Sequence, residues 1–372
     1  MQEIDIVFAL LRGALLDSST LRLFDSSSFT TKDWQRLFIL AQRNHVVAMT
    51  ADAAAKAGAP RPVLIPWLAE CEKATQWYRH QLDVQLDITS RLKQHGIETL
   101  VLKGTHTAQY YPIPEHRQFA DLDLYFYDRH DEADSIMERE AGVTVSRDSH
   151  HHSKYNFRGV TVESHYDFLN THYPPSNREY EAMLRKLVGS SQLSIFLPAL
   201  QALSTLESKF ITAKNFQFST FEILFLLRHM AGHFAASRIT LRDLVDWYLT
   251  CNKLQDKVDW SMVQESVEYY GMTRFARAVC DIVEHRFDYR VPLTFEGGPD
   301  ATEERNRVEH DSVYGSVDDH ATDGLGRLRW KMRRWHSLAW KRKMVYCDNS
   351  ISLWFSSMLS HAERPHSILH KQ

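Results

Sequence analysis

Apolar positions recur at helical spacing over the first part of the chain, switch to a short block of alternation, and then return to helical spacing for most of the remainder. In the segment TTKDWQRLFILAQRNHVVAMTADAAAKAG, residues Trp34, Leu37, Phe38, Ala41 and Val47 fall at the intervals of a helix face. Thr31 is the expected N-cap, since its hydroxyl accepts from an unpaired first-turn amide, and Gly58 stands where a helix would stop. A second helix is expected from about Pro66, a residue tolerated in a first turn, through Tyr78, Leu82 and Leu86 to Leu92, ending at His95–Gly96.

The period then changes. ETLVLKG is a short β-rich run closed by Gly104, and FADLDLYFY alternates, with Leu122, Leu124 and Phe126 on one face and Asp121, Asp123 and Tyr125 on the other. A polar helix from about Asp131 to Glu140 separates this from HSKYNF and VTVESHYDF, two strands flanking Arg158–Gly159 as a hairpin turn. Thr161, Glu163 and His165 share a face of the second of these strands. Helical spacing resumes in REYEAMLRKLV, TFEILFLLRHMAGHF, LRDLVDWYLTCNKL and TRFARAVCDIVEHRF. Residues 296–326 are polar and glycine-bearing, the mark of a surface loop with at most a short helix. The expected organisation is α+β: an N-terminal helical region (1–96), a small mixed-sheet core (97–176) and a C-terminal helical domain (177–372).

Composition narrows the function classes. Hydrophobic residues are 44% and charged residues 24% of the chain, the profile of a folded, soluble protein. The 44 Lys and Arg against 47 Asp and Glu give a formal charge of −3, which argues against a protein that coats nucleic acid through bulk charge but leaves room for a local basic patch. No run approaches the length of a membrane span, and the N-terminus has an acidic start and Arg12 inside its apolar run, unlike a secretory signal. Four scattered cysteines with no CxxC pair point to a cytoplasmic protein without a disulfide framework.

The chemistry concentrates around Asp121, Asp123 and Glu163. Two carboxylates at i and i+2 on a strand point the same way, roughly 7 Å apart along it. Such a placement asks for a cation, and oxygen ligands favour Mg²⁺ or Mn²⁺ over zinc. A third carboxylate, Glu163 on a neighbouring strand, would complete a site for one or two ions. Gly104 lets the backbone approach a phosphate at the following helix start, and Lys103 or Arg117 supplies positive charge for it.

A strand, a glycine-led turn into a helix, a strand bearing Asp-x-Asp and a later carboxylate together describe the core of the DNA polymerase beta-like nucleotidyltransferase superfamily. Within it, VLKGTHTAQYYPIPEHRQFADLDLYF resembles the LKG…Y…R..D(I/L)DL signature of the bacterial uncharacterised nucleotidyltransferase family. VESHYDF, LAQRNHVV, FEILFLLRHMAGHF and ITLRDLVDWYL are similar to further stretches of that family. One departure is Thr105 where the superfamily usually has serine after the glycine; it keeps a hydroxyl and adds a methyl. The resemblance implies Asp121, Asp123 and Glu163 as metal ligands, with Lys103, Gly104, Thr105 and Arg117 at the nucleotide. It implies transfer of a nucleoside monophosphate from a nucleoside triphosphate to a hydroxyl of an acceptor, with Glu163 as base or ligand and His165 as an assisting acid or base. The alternatives are a non-catalytic binding protein on the same fold, disfavoured by retention of both aspartates, and a nucleic-acid-modifying enzyme.

Several other residues have competing readings. His229 and His233 lie one helical turn apart, yet no third ligand is evident and Met230 stands where a metalloprotease would have glutamate, so helix packing or a substrate pocket is the preferred role. His150, His151 and His152 read as a strand end beside the cleft, with metal capture as the alternative. Arg242, Asp243 and Asp246 read as caps or ion pairs. The basic, Trp-bearing stretch from Arg327 to Tyr346 reads as a solvated helix or as a contact for an anionic acceptor.

Overall fold

The computed structural model describes residues 2–16, 26–189, 212–315 and 325–363. The chain divides into two compact units, Met1–Phe218 with Ser350–Gln372, and Ser219–Asn349.

The first unit opens with four helices, α1 (Glu3–Leu15), α2 (Thr31–Arg43), α3 (Val47–Lys56) and α4 (Arg61–Gln94). Thr30, not Thr31, caps α2. Its hydroxyl accepts from the Asp33 amide (3.3 Å) while the Asp33 carboxylate accepts from the Thr30 amide (2.9 Å), and only Thr30 has an acidic residue three positions on. α4 begins five residues ahead of Pro66, after Pro60, and contains that proline near its start, where it forfeits little more than one intrahelical bond. Early in α4, Val63 and Trp67 are buried, with Trp67 meeting Trp34 edge-on at 6.5 Å. At its far end Val84, Ile88 and Leu92, spaced by four, are buried beneath the sheet. One long helix therefore joins the N-terminal helices to the sheet.

The sheet contains β1 (Leu100–Val101), β2 (Asp121–Tyr125), β3 (His152–Phe157) and β4 (Val160–His165) in the order β1-β2-β4-β3. β1 and β2 are antiparallel, β2 and β4 parallel, and β3 and β4 antiparallel, so the sheet is mixed as expected. A single turn, α5 (Thr105–Ala108), follows β1, and α6 (His130–Ala141) carries the chain between β2 and β3. Leu122, Leu124, Phe126, Val160, Val162 and Tyr155 pack with Ile88, Leu92, Ile136 and Met137 in one core. Arg158 and Gly159 both take positive φ (53° and 82°), as a two-residue turn between right-twisted strands demands. After β4, α7 (Asn177–Val188) is tied back to the sheet by Arg185, which meets Asp128 (2.6 Å), Asp167 (2.8 Å) and Glu181 (2.8 Å). α15 (Ser350–Glu363) also belongs to this unit.

Helices make up the second unit: the greater part of α8 (Thr212–Ala236), then α9 (Leu241–Leu254), α10 (Trp260–Tyr269), α11 (Thr273–Phe287), α12 (Ala301–Tyr314), α13 (Leu325–Ser337) and α14 (Ala339–Val345). The polar stretch 296–326 is more helical than its composition suggests. α12 is fixed by ion pairs from Glu304 to Arg274 and Arg277 and from Glu309 to Arg286, all on α11, which an apolar pattern does not register. Residues 316–324 of that stretch lie outside the described residues. The basic stretch is split at Leu338, and two of its cations are internal: Lys341 binds the Ser237 carbonyl and Asp311, and Arg342 lies 3.7 Å over the Trp335 ring. The reading of this stretch as a solvated helix thus fails for Lys341 and Arg342. Asp243 forms a capping box with Thr240 and pairs with Arg242 at 2.8 Å, while Asp246 is buried 3.9 Å from Arg242. Against the upward push of burial, Arg242 and the Thr240 amide hold the Asp243 carboxyl well below the usual range. No helix among the described residues is long and apolar enough to cross a membrane.

Candidate functional site

The parallel register of β2 and β4 builds the site. It sets Asp121 opposite Thr161, Asp123 opposite Glu163 and Tyr125 opposite His165. Laterally paired residues of neighbouring strands project to the same side, so the polar half of the DLDLY alternation meets the polar half of VTVESH. β3 extends this face, with Lys154 opposite Glu163 and His152 opposite His165. The apolar half of each strand faces the α4 and α6 core, which pins the register: a slip by one residue would turn the carboxylates into that apolar core.

The side chains converge on Asp123, which is 3% exposed. Its Oδ1 lies 3.2 Å from His165 Nε2 and its Oδ2 3.1 Å from Lys103 Nζ. Glu163 Oε2 lies 3.8 Å from the same His165 nitrogen, and Glu163 Oε1 lies 2.9 Å from Lys154 Nζ. His165 Nδ1 stands 3.1 Å from the Asp167 carbonyl, and since a carbonyl only accepts, Nδ1 carries its hydrogen. That leaves Nε2 to interact with the carboxylates, as a donor when protonated or as a ligand beside them when a cation lies between.

Gly104 makes the corner after β1. Its φ of 64° with ψ of −118° belongs to glycine, and a Cβ there would lie 3.1 Å from the Phe119 ring. Arg117, buried, donates from Nη1 to the Gly104 carbonyl (3.2 Å) and stands 5.5 Å over Phe119. Thr105 is buried and its hydroxyl donates to Gln85 Oε1 on α4. A phosphate contact from that hydroxyl requires exchange of this bond.

A family model described as uncharacterised nucleotidyltransferase matches residues 30–288, well over half of the chain, and takes in every residue of this site. The chain belongs to that family. No curated protein and no solved structure matches it.

In this nucleotidyltransferase site the carboxylates act on one another. Burial, then the neighbouring Asp123 charge, raise the Asp121 carboxyl above its usual range; Lys103 opposes this and Glu163 adds to it. Three carboxylates, Asp121, Asp123 and Glu163, thus stand with two lysines, Lys103 and Lys154. Among the described residues, two groups of potential metal ligands have their atoms within 4.8 Å of one another: Asp123, Glu163 and His165, and His151, His152 and His165. Asp121 belongs to neither, so the convergent trio replaces Asp121 of the expected set with His165. Burial pushes the His151 imidazole well below its usual range, with His165 and His152 adding to the effect. Burial also pushes His152 down to about 4, against the pull of Glu163.

Two contributors to this nucleotidyltransferase site escaped the sequence reading. Lys154 sits on the Glu163 side of the hairpin, a position legible in HSKYNF only once the register with VTVESH is known. Gln85 lies on a helix far upstream and carries no motif. In the second unit His229 and His233 bond one another, Nε2 to Nε2 at 2.8 Å, and no group of three potential metal ligands among the described residues includes them.

Proposed function

We propose that the protein transfers a nucleoside monophosphate from a nucleoside triphosphate to a hydroxyl of an acceptor, with Mg²⁺ or Mn²⁺ as the required ion. The observation that carries this reading is the pairing of Asp123 with Glu163 across parallel strands, next to a glycine corner and a lysine. The donor set fits such an ion: two carboxylates and one imidazole offer ligand atoms within 4.8 Å of one another, with a further carboxylate, Asp121, beside them. Asp123, Glu163 and His165 would hold it, with Asp121 alongside. When bound, such an ion neutralises the triphosphate and makes an acceptor hydroxyl a better nucleophile.

The chain's own residues supply the rest. Lys103 is the cation paired with Asp123 and turns from it to the phosphates as the negative charge on the site changes. Gly104 brings backbone close to the phosphates without a side chain in the way, and Arg117 holds the carbonyl of that corner in place. Glu163 accepts the proton of the acceptor hydroxyl, while His165 Nδ1 stays fixed on the Asp167 carbonyl and aims the one lone pair of that ring, on Nε2, at the ion. Acceptor class and nucleotide base are left to experiment: the purified chain is incubated with each labelled triphosphate, Mg²⁺ and a cell extract. Metal-dependent label transfer with release of pyrophosphate, lost in Asp123→Asn, is the expected result. Tight triphosphate binding with no transfer to any fraction would instead make it a binding protein on this fold.

A further inference from the structure

The histidines ahead of β3 belong to the same corner of the sheet as the carboxylates, but the function proposed above does not use His151 or His152. His151 and His152 stand with ring centroids 4.4 Å apart, and His165 lies 5.6 Å and 5.3 Å from them. One nitrogen from each of the three lies within 4.8 Å of the others. Three imidazoles so close place three lone-pair donors around one point. Nitrogen donors of this kind prefer a first-row transition ion to Mg²⁺, and three histidines with an open fourth position form a familiar zinc-type set.

The surroundings hold these rings in place. The Asp167 carbonyl fixes His165 through Nδ1, and Ser149 Oγ stands 3.4 Å from Nδ1 of both His151 and His152. Backbone amides of Tyr166 and Asp167 donate to the His151 carbonyl (3.1 and 3.3 Å). The Tyr166 hydroxyl reaches the carbonyls of Ser149 (2.6 Å) and His152 (2.9 Å). Contacts from the outer ring nitrogens and backbone of this kind orient metal-binding histidines. The loop that brings His151 is thereby fastened to the loop that follows His165, so the cluster is assembled before any ion arrives.

We infer that His151, His152 and His165 form a second cation position, selective for a transition-metal divalent ion such as Zn²⁺ or Co²⁺, that shares His165 with the carboxylate position of Asp123 and Glu163. The position is distinct in donor chemistry, and it does not depend on the chain being a nucleotidyltransferase. Because Nδ1 of His165 keeps its hydrogen, its one lone pair, on Nε2, serves one position at a time, so an ion at one position takes this ligand from the other.

The test uses the full-length chain stripped of metal with chelator. Titration with Co²⁺, followed by visible absorbance and calorimetry, should show one tight equivalent displaced by Zn²⁺ and not by a large excess of Mg²⁺. The double variant His151→Ala with His152→Ala should bind Co²⁺ at least tenfold more weakly. His229→Ala, in the second unit, should bind it as the wild type does. Where the double variant does not fold by circular dichroism, Cu²⁺ bound to the wild type gives the answer: its electron paramagnetic resonance spectrum should carry splitting from several imidazole nitrogens. Absence of that splitting, or unchanged Co²⁺ affinity in a folded double variant, overturns the inference. Triphosphate binding with Mg²⁺ measured on the same samples separates this outcome from failure of the nucleotidyl-transfer reading, which leaves Co²⁺ binding untouched.

Discussion

Lys103 Nζ stands 3.1 Å from Asp123 Oδ2, with the lysine side chain 17% and the aspartate 3% exposed. A strand end and the neighbouring strand thus deliver opposite charges to one partly dry point. Breaking one half of such a pair leaves the other half desolvated and uncompensated, which costs about 3–5 kcal/mol for a buried pair and less where water still reaches the lysine. Lys103→Met should therefore lower the stability of the metal-free chain by about 2–3 kcal/mol. Mn²⁺ should recover part of that loss, because it replaces the missing positive charge. Urea unfolding with and without Mn²⁺ reads both effects; unchanged metal-free stability would show that Lys103 does not compensate Asp123.

Asp121 and Asp123 look alike in DLD, but the fold treats them differently. Asp123 has Lys103 and His165 as partners, whereas Asp121 is raised by burial and by its carboxylate neighbours. A raised carboxyl is one whose charged form the fold disfavours, so Asp121→Asn should leave stability at neutral pH equal or higher. Asp123→Asn should cost about 1–3 kcal/mol, since it weakens two charge-assisted contacts at once. Both variants should lose metal-dependent transfer. Equal urea midpoints for the two variants would mean that the partners of Asp123 contribute nothing.

The alternation Leu122–Leu124–Phe126 against Asp121–Asp123–Tyr125 was legible because a strand covered on one face by a helical core needs a period of two. The hairpin at Arg158–Gly159 was legible because a glycine between two alternating runs supplies the positive φ a two-residue turn needs, which Arg158 and Gly159 both take. What alternation does not encode is the neighbour. Asp123 meets Glu163 through a parallel pairing across α6 and β3, and nothing local in either segment specifies that partner. The antiparallel pairing of β3 with β4 brings His152 beside His165, which turned a run of histidines with two readings into a cluster. Thr30 over Thr31 was decided by Asp33, and α12 by its ion pairs to α11; both are polar signals that a hydrophobic pattern leaves out.

Stability should carry a pH signature at Glu181. Burial, then the Asp167 charge, raise its carboxyl from 4.5 to about 7, opposed by the Phe168 and Leu169 amides and by Arg185. Between roughly pH 4.5 and 7 the folded chain keeps a proton that the unfolded chain has released, so this group's contribution falls as pH rises through that window and is level above it. The full swing is on the order of 2–3 kcal/mol. Asp167→Asn removes the second cause and leaves Arg185 freer to meet Glu181, so the variant should lose less stability between pH 5 and 7 than the wild type. Urea midpoints of both proteins across that range give the comparison. A wild-type-minus-variant difference that stays constant with pH would remove Asp167 as a cause.

The corner at Gly104 separates a phosphate role for Arg117 from a supporting one. Arg117 is buried, donates to the Gly104 carbonyl and covers Phe119, so its removal uncovers a ring and strips a buried carbonyl of one donor. Arg117→Ala should cost about 1–3 kcal/mol in stability from that carbonyl alone. Gly104→Ala strikes the same corner from the other side: a Cβ at φ 64° is strained by about 1–2 kcal/mol and also meets Phe119 at 3.1 Å. If Arg117 supports the corner, both variants should weaken triphosphate binding to a similar degree. Arg117→Lys should then restore little, because an ammonium does not reproduce the planar guanidinium over Phe119. If Arg117 meets phosphate directly, Arg117→Lys should recover most of the affinity that Arg117→Ala loses, since a point charge suffices for a phosphate oxygen. Calorimetric titration of the three variants with one triphosphate distinguishes the two roles, and the bond from Arg117 to the Gly104 carbonyl favours support.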